Sequence, residues 1–460
     1  MMKRIKSGTL RLPRYWEAPL FVTAIFLTFV VARYMQWGAR RDILKTIRIE
    51  FVLGLALAVI CVFLISANPV RVARLRPARN VLVGVAMLFV AMIVQLPFAA
   101  DKDLASSIFI DRVIKFAMLT FFMVTLIRSP RSMRYFLAAF LFACFYVTQE
   151  AARGAISGSL VWQNQGVMRL HGAVPIYAHP NSLGGVAMGI VPFVVFLFPV
   201  IRSWTYRLLL LPPLATAGVC MLYSGSRTAY VAFFGFLAFW WLKSANKLQW
   251  LLVAVALSAA ALPVIPEQYV ERFKSIGGQE AEGHSKEMRI EILEDAWHIF
   301  MKYPLGVGVA SFPAVRIKEF GRKQDTHNLY LEVATNLGVQ GLAVFGFLIY
   351  AMLAALHHAE RRFLRLSGAL RKSVRSLAQP PPALRRRIDA VDGDLRFMRG
   401  VAVATSGFLY IRLVLGLFGM DLYEVYWWFV AGIAFSSLWI SYEMRRLVAA
   451  LTVQIDEMKN

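Results

Sequence analysis

Long apolar runs, separated by short basic or polar connections, set the pattern of this chain from end to end. Phe51 to Ser66 and Val81 to Phe98 contain no charged residue, and their lengths approach the roughly 20 residues a helix needs to cross a hydrocarbon core. The same test along the chain predicts about twelve spans. These are Trp16–Val31, Ile49–Ser66, Val81–Phe98, Val113–Ile127, Met133–Thr148, Leu183–Ile201, Leu208–Tyr223, Ala229–Leu242, Leu248–Val264, Asn328–Ala355, Val401–Phe418 and Tyr423–Tyr442. The alternating segments of about 10 residues that build a transmembrane barrel are not seen. The fold class predicted is therefore an all-α polytopic membrane protein.

Composition supports this reading: 58% of the 460 residues are hydrophobic and 17% are charged, too apolar for a soluble globular chain of this length. The net charge of +24 would suit a nucleic-acid binder, but Lys and Arg fall between the apolar runs, where the positive-inside bias concentrates them. No basic stripe interleaved with aromatics lies outside the membrane connections, so no nucleic-acid partner is expected. Arg71, Arg74, Arg76 and Arg79, then Arg128, Arg131 and Arg134, then Arg202 and Arg207, then Lys243 and Lys247 mark alternate connections as cytoplasmic. Connections around Asp101–Asp111, Glu150–Pro180, Val264–His327 and Gly419–Glu424 are poorer in positive charge and are assigned outside. The connection Arg33–Arg48 breaks the alternation, being basic where the order requires an outer loop. Cys61, Cys144 and Cys220 sit inside apolar runs and predict no disulfide. The basic N-terminus leads into a first run with no evident cleavage site, and is read as a retained span with both chain termini cytoplasmic.

These boundaries divide the chain into spans one to nine (1–264), an outer loop (265–327), a tenth span (328–355), a basic cytoplasmic stretch (356–400) and the last two spans with a tail (401–460). The outer loop exceeds the usual short connection, a sign of function. It is expected to carry a short amphipathic helix over Met288–Met301, with Ile292, Ala296, Trp297 and Phe300 at helical spacing. The basic stretch is expected to include helices lying against anionic headgroups, or to act only as an orientation anchor.

No Walker sequence, G-x-G-x-x-G, H-E-x-x-H or G-x-S-x-G occurs, which removes support for nucleotide-driven pumping and for zinc or serine hydrolysis. The informative stretch is Thr326-His327-Asn328 followed by Gly338 and Gly341, where the outer loop meets a span. At 100° per residue Gly338 lies about 20° and Gly341 about 40° from His327, so a continuous helix would put them on one face, open to close approach by a neighbouring helix. A lone interfacial His is commonly just a polar cap. Asn328 is suited to capping or to orienting His327. Arg227 lies between two spans at the outer face, where a charge needs a partner or water; snorkelling is its simpler explanation. Arg289 is suited to pairing with Glu291 or Glu294, or to holding an anion.

The pattern H-N, nine residues, G-x-x-G resembles the signature segment of O-antigen ligases, shared more loosely by related polymerases and protein oligosaccharyltransferases. Further pieces follow in order: Arg169-Leu170-His171-Gly172 with His179-Pro180-Asn181, then Ser224-Gly225-Ser226-Arg227-Thr228-Ala229, then Arg289 upstream of Pro304-Leu305-Gly306-Val307-Gly308. The resemblance covers about 165–345. It implies a glycosyltransferase-C-like bundle in the bacterial inner membrane, with its site on the periplasmic side. The implied reaction is metal-independent, inverting transfer of a glycan from undecaprenyl pyrophosphate to a lipid A-core hydroxyl, with no cofactor. Pyrophosphate leaves readily once fixed cations hold its charge, a task suited to Arg227 and Arg289. His, with an ordinary pKa of about 6.5, is suited to act as general base, and His327 is the candidate. Arg169, Asn328, His171 and Asn181 are candidate substrate-binding residues.

Asp101 and Asp103 would be a poor metal site without further ligands, and His171 and His179 show no third ligand. A polymerase or a protein oligosaccharyltransferase would use the same groups with another acceptor. A transporter of lipid-linked sugars would bury ionisable residues deep in its spans, and the predicted spans look almost free of them.

Overall fold

The computed structural model describes residues 15–70, 76–164, 167–244, 246–249, 251–252, 255–256, 267–274, 285–375 and 380–458. Numbered in chain order, the helices used below are α1 (Leu20–Met35), α2 (Ile49–Ala67), α3 (Arg76–Gln95), α4 (Lys115–Leu126), α5 (Pro130–Ser157), α6 (Pro180–Leu197), α7 (Leu211–Tyr223), α8 (Arg227–Lys243), α9 (Ser285–Lys302), α10 (Phe312–Phe320), α11 (Leu329–Arg375), α12 (Pro382–Leu415) and α13 (Tyr426–Glu457). Among the described residues seven helical segments are long and apolar enough to cross a membrane: α2, α3, α5, α6, Trp204–Tyr223, α11 and α12. Most of the predicted span Leu248–Val264, and much of the loop that follows it, lie outside the described residues.

Burial separates the faces that meet lipid from those that meet protein. On α2 only Gly54, Leu57 and Cys61 are buried, while Phe51, Val52, Leu55, Val59, Val62 and Phe63 are exposed. So large an apolar surface is compatible only with a non-aqueous surrounding. The interior is aromatic: the Phe429 ring stands 4.7 Å from that of Phe140 and 5.3 Å from that of Phe408. Cys61, Cys144 and Cys220 are free and buried. Helix starts follow local chemistry, as at α5, where Ser129 and Ser132 form a reciprocal capping box ahead of Pro130. Asp101 likewise caps the helix Lys102–Ile108 by accepting from Leu104 N–H at 2.9 Å.

Several expectations need correction. The segment after α5 adds a small antiparallel hairpin, Val161–Asn164 with Val167–Leu170, in which Trp162 pairs with Arg169. In the basic connection Arg33–Arg48 two of the five cations are paired with acids: Arg33 with Glu50 at 3.2 Å, and Arg40 with both oxygens of Glu150 at 2.7 and 2.8 Å. Glu150 begins the segment assigned outside, so this connection shares that end of the bundle. The basic stretch 356–400 does not form separate surface helices. α11 runs on to Arg375 and α12 starts at Pro382, and Phe363 and Leu370 are buried with Leu384, Ile388, Val391 and Leu395 along a common seam. Apolar packing between the two helices, tied by Ser367 donating to Asp392 at 2.7 Å, makes them a hairpin continuous with the spans. On α9 the buried stripe is Ile292, Asp295, Ala296 and Ile299, whereas Trp297 is 53% exposed.

Candidate functional site

The start of α11 is held by the end of α12. Asn328 Oδ1 accepts from the N–H groups of Tyr330 (3.0 Å) and Leu331 (3.1 Å), its Nδ2 donates to Leu417 O at 3.2 Å, and Leu329 N–H donates to Gly416 O at 2.7 Å. Asn328 is thus the helix cap. His327 precedes the cap with φ of 46°, in the left-handed region that few residues other than glycine enter. Thr326, buried beside it, donates to Asn328 O at 3.1 Å and stabilises this turn.

α11 is not one continuous helix. At Gly338 the backbone takes φ 72° and ψ −169°, a conformation essentially reserved for glycine. The segment Pro304–Gly308 fills the break: Val339 N–H donates to Pro304 O (2.9 Å), Val307 N–H to Thr335 O (2.8 Å) and Gly308 N–H to Asn336 O (3.1 Å). Gln95 and Gln340 both donate to Leu305 O at 2.6 Å. Asn336 Oδ1 also accepts from Ser311 and Phe312 N–H. The shared face expected of His327, Gly338 and Gly341 therefore does not form. Gly338 admits a loop backbone rather than a neighbouring helix, since a Cβ there would lie 2.6 Å from Pro304 O.

This loop carries α9 and α10 to His327. Ile292, Ala296, Ile299, Val307, Phe312 and Val315 form a separate small core against Leu331. Arg316, fully buried on α10, donates Nε to Asp295 at 2.8 Å and Nη1 to Gln324 at 3.1 Å. Glu291 pairs with Arg322 rather than with Arg289. Arg289 is exposed on α9, and its charge acts on His327. Partial loss of hydration, then the charge of Arg289, hold the imidazole below its usual pKa; Asp325 opposes them and Arg316 adds to them. Loss of hydration raises the Asp325 pKa, against the pull of His327 and Arg112.

A second cluster gathers around Arg169. Arg169, 3% exposed, donates from Nε to Ser224 O at 2.9 Å and from Nη2 to Asn181 Oδ1 at 2.8 Å. It ties the hairpin to the loop Ser224–Arg227 and to the start of α6. His179 caps α6 by accepting from Asn181 N–H at 3.1 Å. Its pKa is lowered by lost hydration, then by Arg169 and by His327. Arg227 opens α8 directly after the capping Ser226. His171 stands apart, its ring 5.3 Å from that of Trp162.

Three polar groups that sequence reasoning did not select stand out. Arg316 has no motif, and a single Arg on a short amphipathic helix gives no sign that it will be buried. Arg412 and Glu332 overturn the expectation that the spans are almost free of ionisable groups. Arg412, 3% exposed, donates to Gly185 O at 2.8 Å and lies 3.4 Å from the Tyr426 ring centre. Glu332 accepts from Leu422 N–H at 3.0 Å. The available signal was their place, within one to two turns of the ends of predicted spans.

No curated protein matches the chain. Residues 212–346 match the family model described as O-antigen ligase, a segment that contains Arg227, Arg289 and His327 but not Arg169. By that match the chain carries an O-antigen ligase family domain, set in a helical membrane protein.

Proposed function

We propose that this protein is a metal-independent, inverting glycosyltransferase that moves a glycan from undecaprenyl pyrophosphate to a sugar hydroxyl of lipid A-core. In this reading it sits in the bacterial inner membrane with about twelve spans, both termini cytoplasmic and the site periplasmic. The observation that carries the reading is the match to the O-antigen ligase family over residues 212–346, the segment that holds Arg227, Arg289 and His327, with the charge of Arg289 helping to hold the His327 pKa down. A depressed pKa keeps the imidazole neutral near pH 7, as a general base requires.

The acceptor oxygen attacks the anomeric carbon while His327 takes the hydroxyl proton. The bond from that carbon to the pyrophosphate oxygen breaks, and the bonding pair leaves on undecaprenyl pyrophosphate. Arg227 and Arg289 hold the charge that develops there, where fixed cations cost no reorganisation at the moment of reaction. Attack opposite the leaving group inverts the anomeric centre. Asn328 sets the His327 turn through its capping bonds. Arg169 and Asn181 support the Arg227 loop and α6, and His171 extends the sugar-binding surface. An apolar groove of about 210 Å³, lined by Phe29, Gly54, Leu55, Ile114 and Met118 with Arg33 and Lys115 at its edge, suits an isoprenoid tail.

The test is transfer by the purified protein in lipid, without any ion gradient, from undecaprenyl-pyrophosphate glycan to lipid A-core. Glycosylated lipid A-core supports the ligase. Lengthening of the lipid-linked glycan instead would mean a polymerase, glycan on a protein acceptor a protein oligosaccharyltransferase, and movement of intact donor across vesicles with no new linkage a transporter.

A further inference from the structure

At the end of the bundle opposite His327, three arginines stand on two helices that pack together, α11 and α13. Arg362 and Arg365 lie on α11, about six and nine residues past Leu356, where its apolar stretch ends; Arg445 lies on α13, about three residues past Tyr442. The charges of Arg445 and Arg365 both act on Arg362. Among the described residues none of the three makes an ion pair, and the Nη1 atom of Arg362 is buried without a hydrogen-bond partner. The acids nearby are engaged elsewhere: Glu360 pairs with Lys243 at 2.7 Å, Glu443 with Arg446 at 3.6 Å, and Asp392 with Arg371 and Arg396.

Like charges brought together around a buried, unsatisfied donor are unfavourable unless an anion joins them. The level of the cluster says which anion. Trp439 and Tyr442, rings 6.4 Å apart, stand on α13 just before Arg445, and Tyr442 also bears on Arg362. Aromatic side chains of this kind mark the depth of the headgroups. A planar guanidinium suits a phosphate diester, giving it paired donors.

We propose that Arg362, Arg365 and Arg445 bind the phosphate of an anionic phospholipid in the leaflet at that end of the bundle. The site is separate from the reaction centre and independent of the function proposed above.

The experiment compares thermal unfolding of the full chain in phosphatidylcholine nanodiscs with and without added phosphatidylglycerol. The wild-type midpoint rises with phosphatidylglycerol. Arg362→Gln, and separately Arg445→Gln, need about tenfold more of it for the same rise, the loss expected for one charge-assisted hydrogen bond. Arg386→Gln, exposed near the start of α12, responds as wild type does. In phosphatidylcholine alone Arg362→Gln unfolds no lower than wild type, because it removes an unpaired buried donor. Equal responses in wild type and both variants would overturn the proposal. So would the full rise with inorganic phosphate alone, which would make this a soluble-anion site.

Discussion

Replacing Gly338 with Ala tests how the loop before His327 is held. At φ 72° and ψ −169° an alanine pays backbone strain of about 1–3 kcal/mol. Its Cβ also meets Leu305 and lies 2.6 Å from Pro304 O, so the loop must move. Movement threatens the bonds from Val339 to Pro304 and from Gln95 and Gln340 to Leu305, each worth about 1 kcal/mol. A total near 3 kcal/mol or more follows, enough to lower the midpoint of thermal unfolding clearly. Because the same loop delivers α9 and Arg289, glycan transfer falls even where the variant is folded. Gly346→Ala is the matched control: nothing lies within 4 Å of the added Cβ, and alanine in a helix gains about 0.5–1 kcal/mol over glycine. Thermal unfolding and transfer are measured on both in lipid discs. If Gly338→Ala unfolds and transfers like Gly346→Ala, the broken helix is not what holds the site.

Arg289→Gln removes a charge that lowers the His327 pKa, so the acid limb of the rate profile moves up toward pH 6.5, while Asp325→Asn moves it further down; pH–rate profiles of both variants check the opposite signs. The His327 pKa is depressed in the folded state, so its contribution to stability is present above about pH 6.5 and is lost as pH falls through the lower native value, as unfolding midpoints across that window will show. Arg227→Lys keeps the charge but loses the planar fork, and the rate constant for transfer falls about 10²-fold or more with the fold intact, measured by single-turnover transfer. Arg169→Ala acts on stability, since it removes bonds to Ser224 O and Asn181; a loss of about 2 kcal/mol or more is expected, read as a lower unfolding midpoint.

Hydrophobic runs made the helical membrane architecture legible, because a span must satisfy its backbone within itself and its length is fixed by the bilayer. Residue type and spacing brought His327, Asn328 and Arg289 forward as candidates, and the resemblance to O-antigen ligases gave them their proposed roles. Spacing misled at Gly338, where continuous helical periodicity was assumed; a glycine in a span admits both a close helix and a break, and only the partner segment Pro304–Gly308 decides. Arg316 and Arg412 escaped notice because their burial depends on acceptors far along the chain, Asp295 and Gly185 O. The basic connection Arg33–Arg48 still runs against the charge rule, with Arg33 and Arg40 paired to Glu50 and Glu150.

The most direct test of the account is transfer by purified His327→Ala, in lipid with undecaprenyl-pyrophosphate glycan, lipid A-core and EDTA, alongside its thermal unfolding. The account predicts active wild type and a variant that unfolds like wild type yet transfers almost nothing. A variant that keeps full activity would contradict the assignment of His327 as the base.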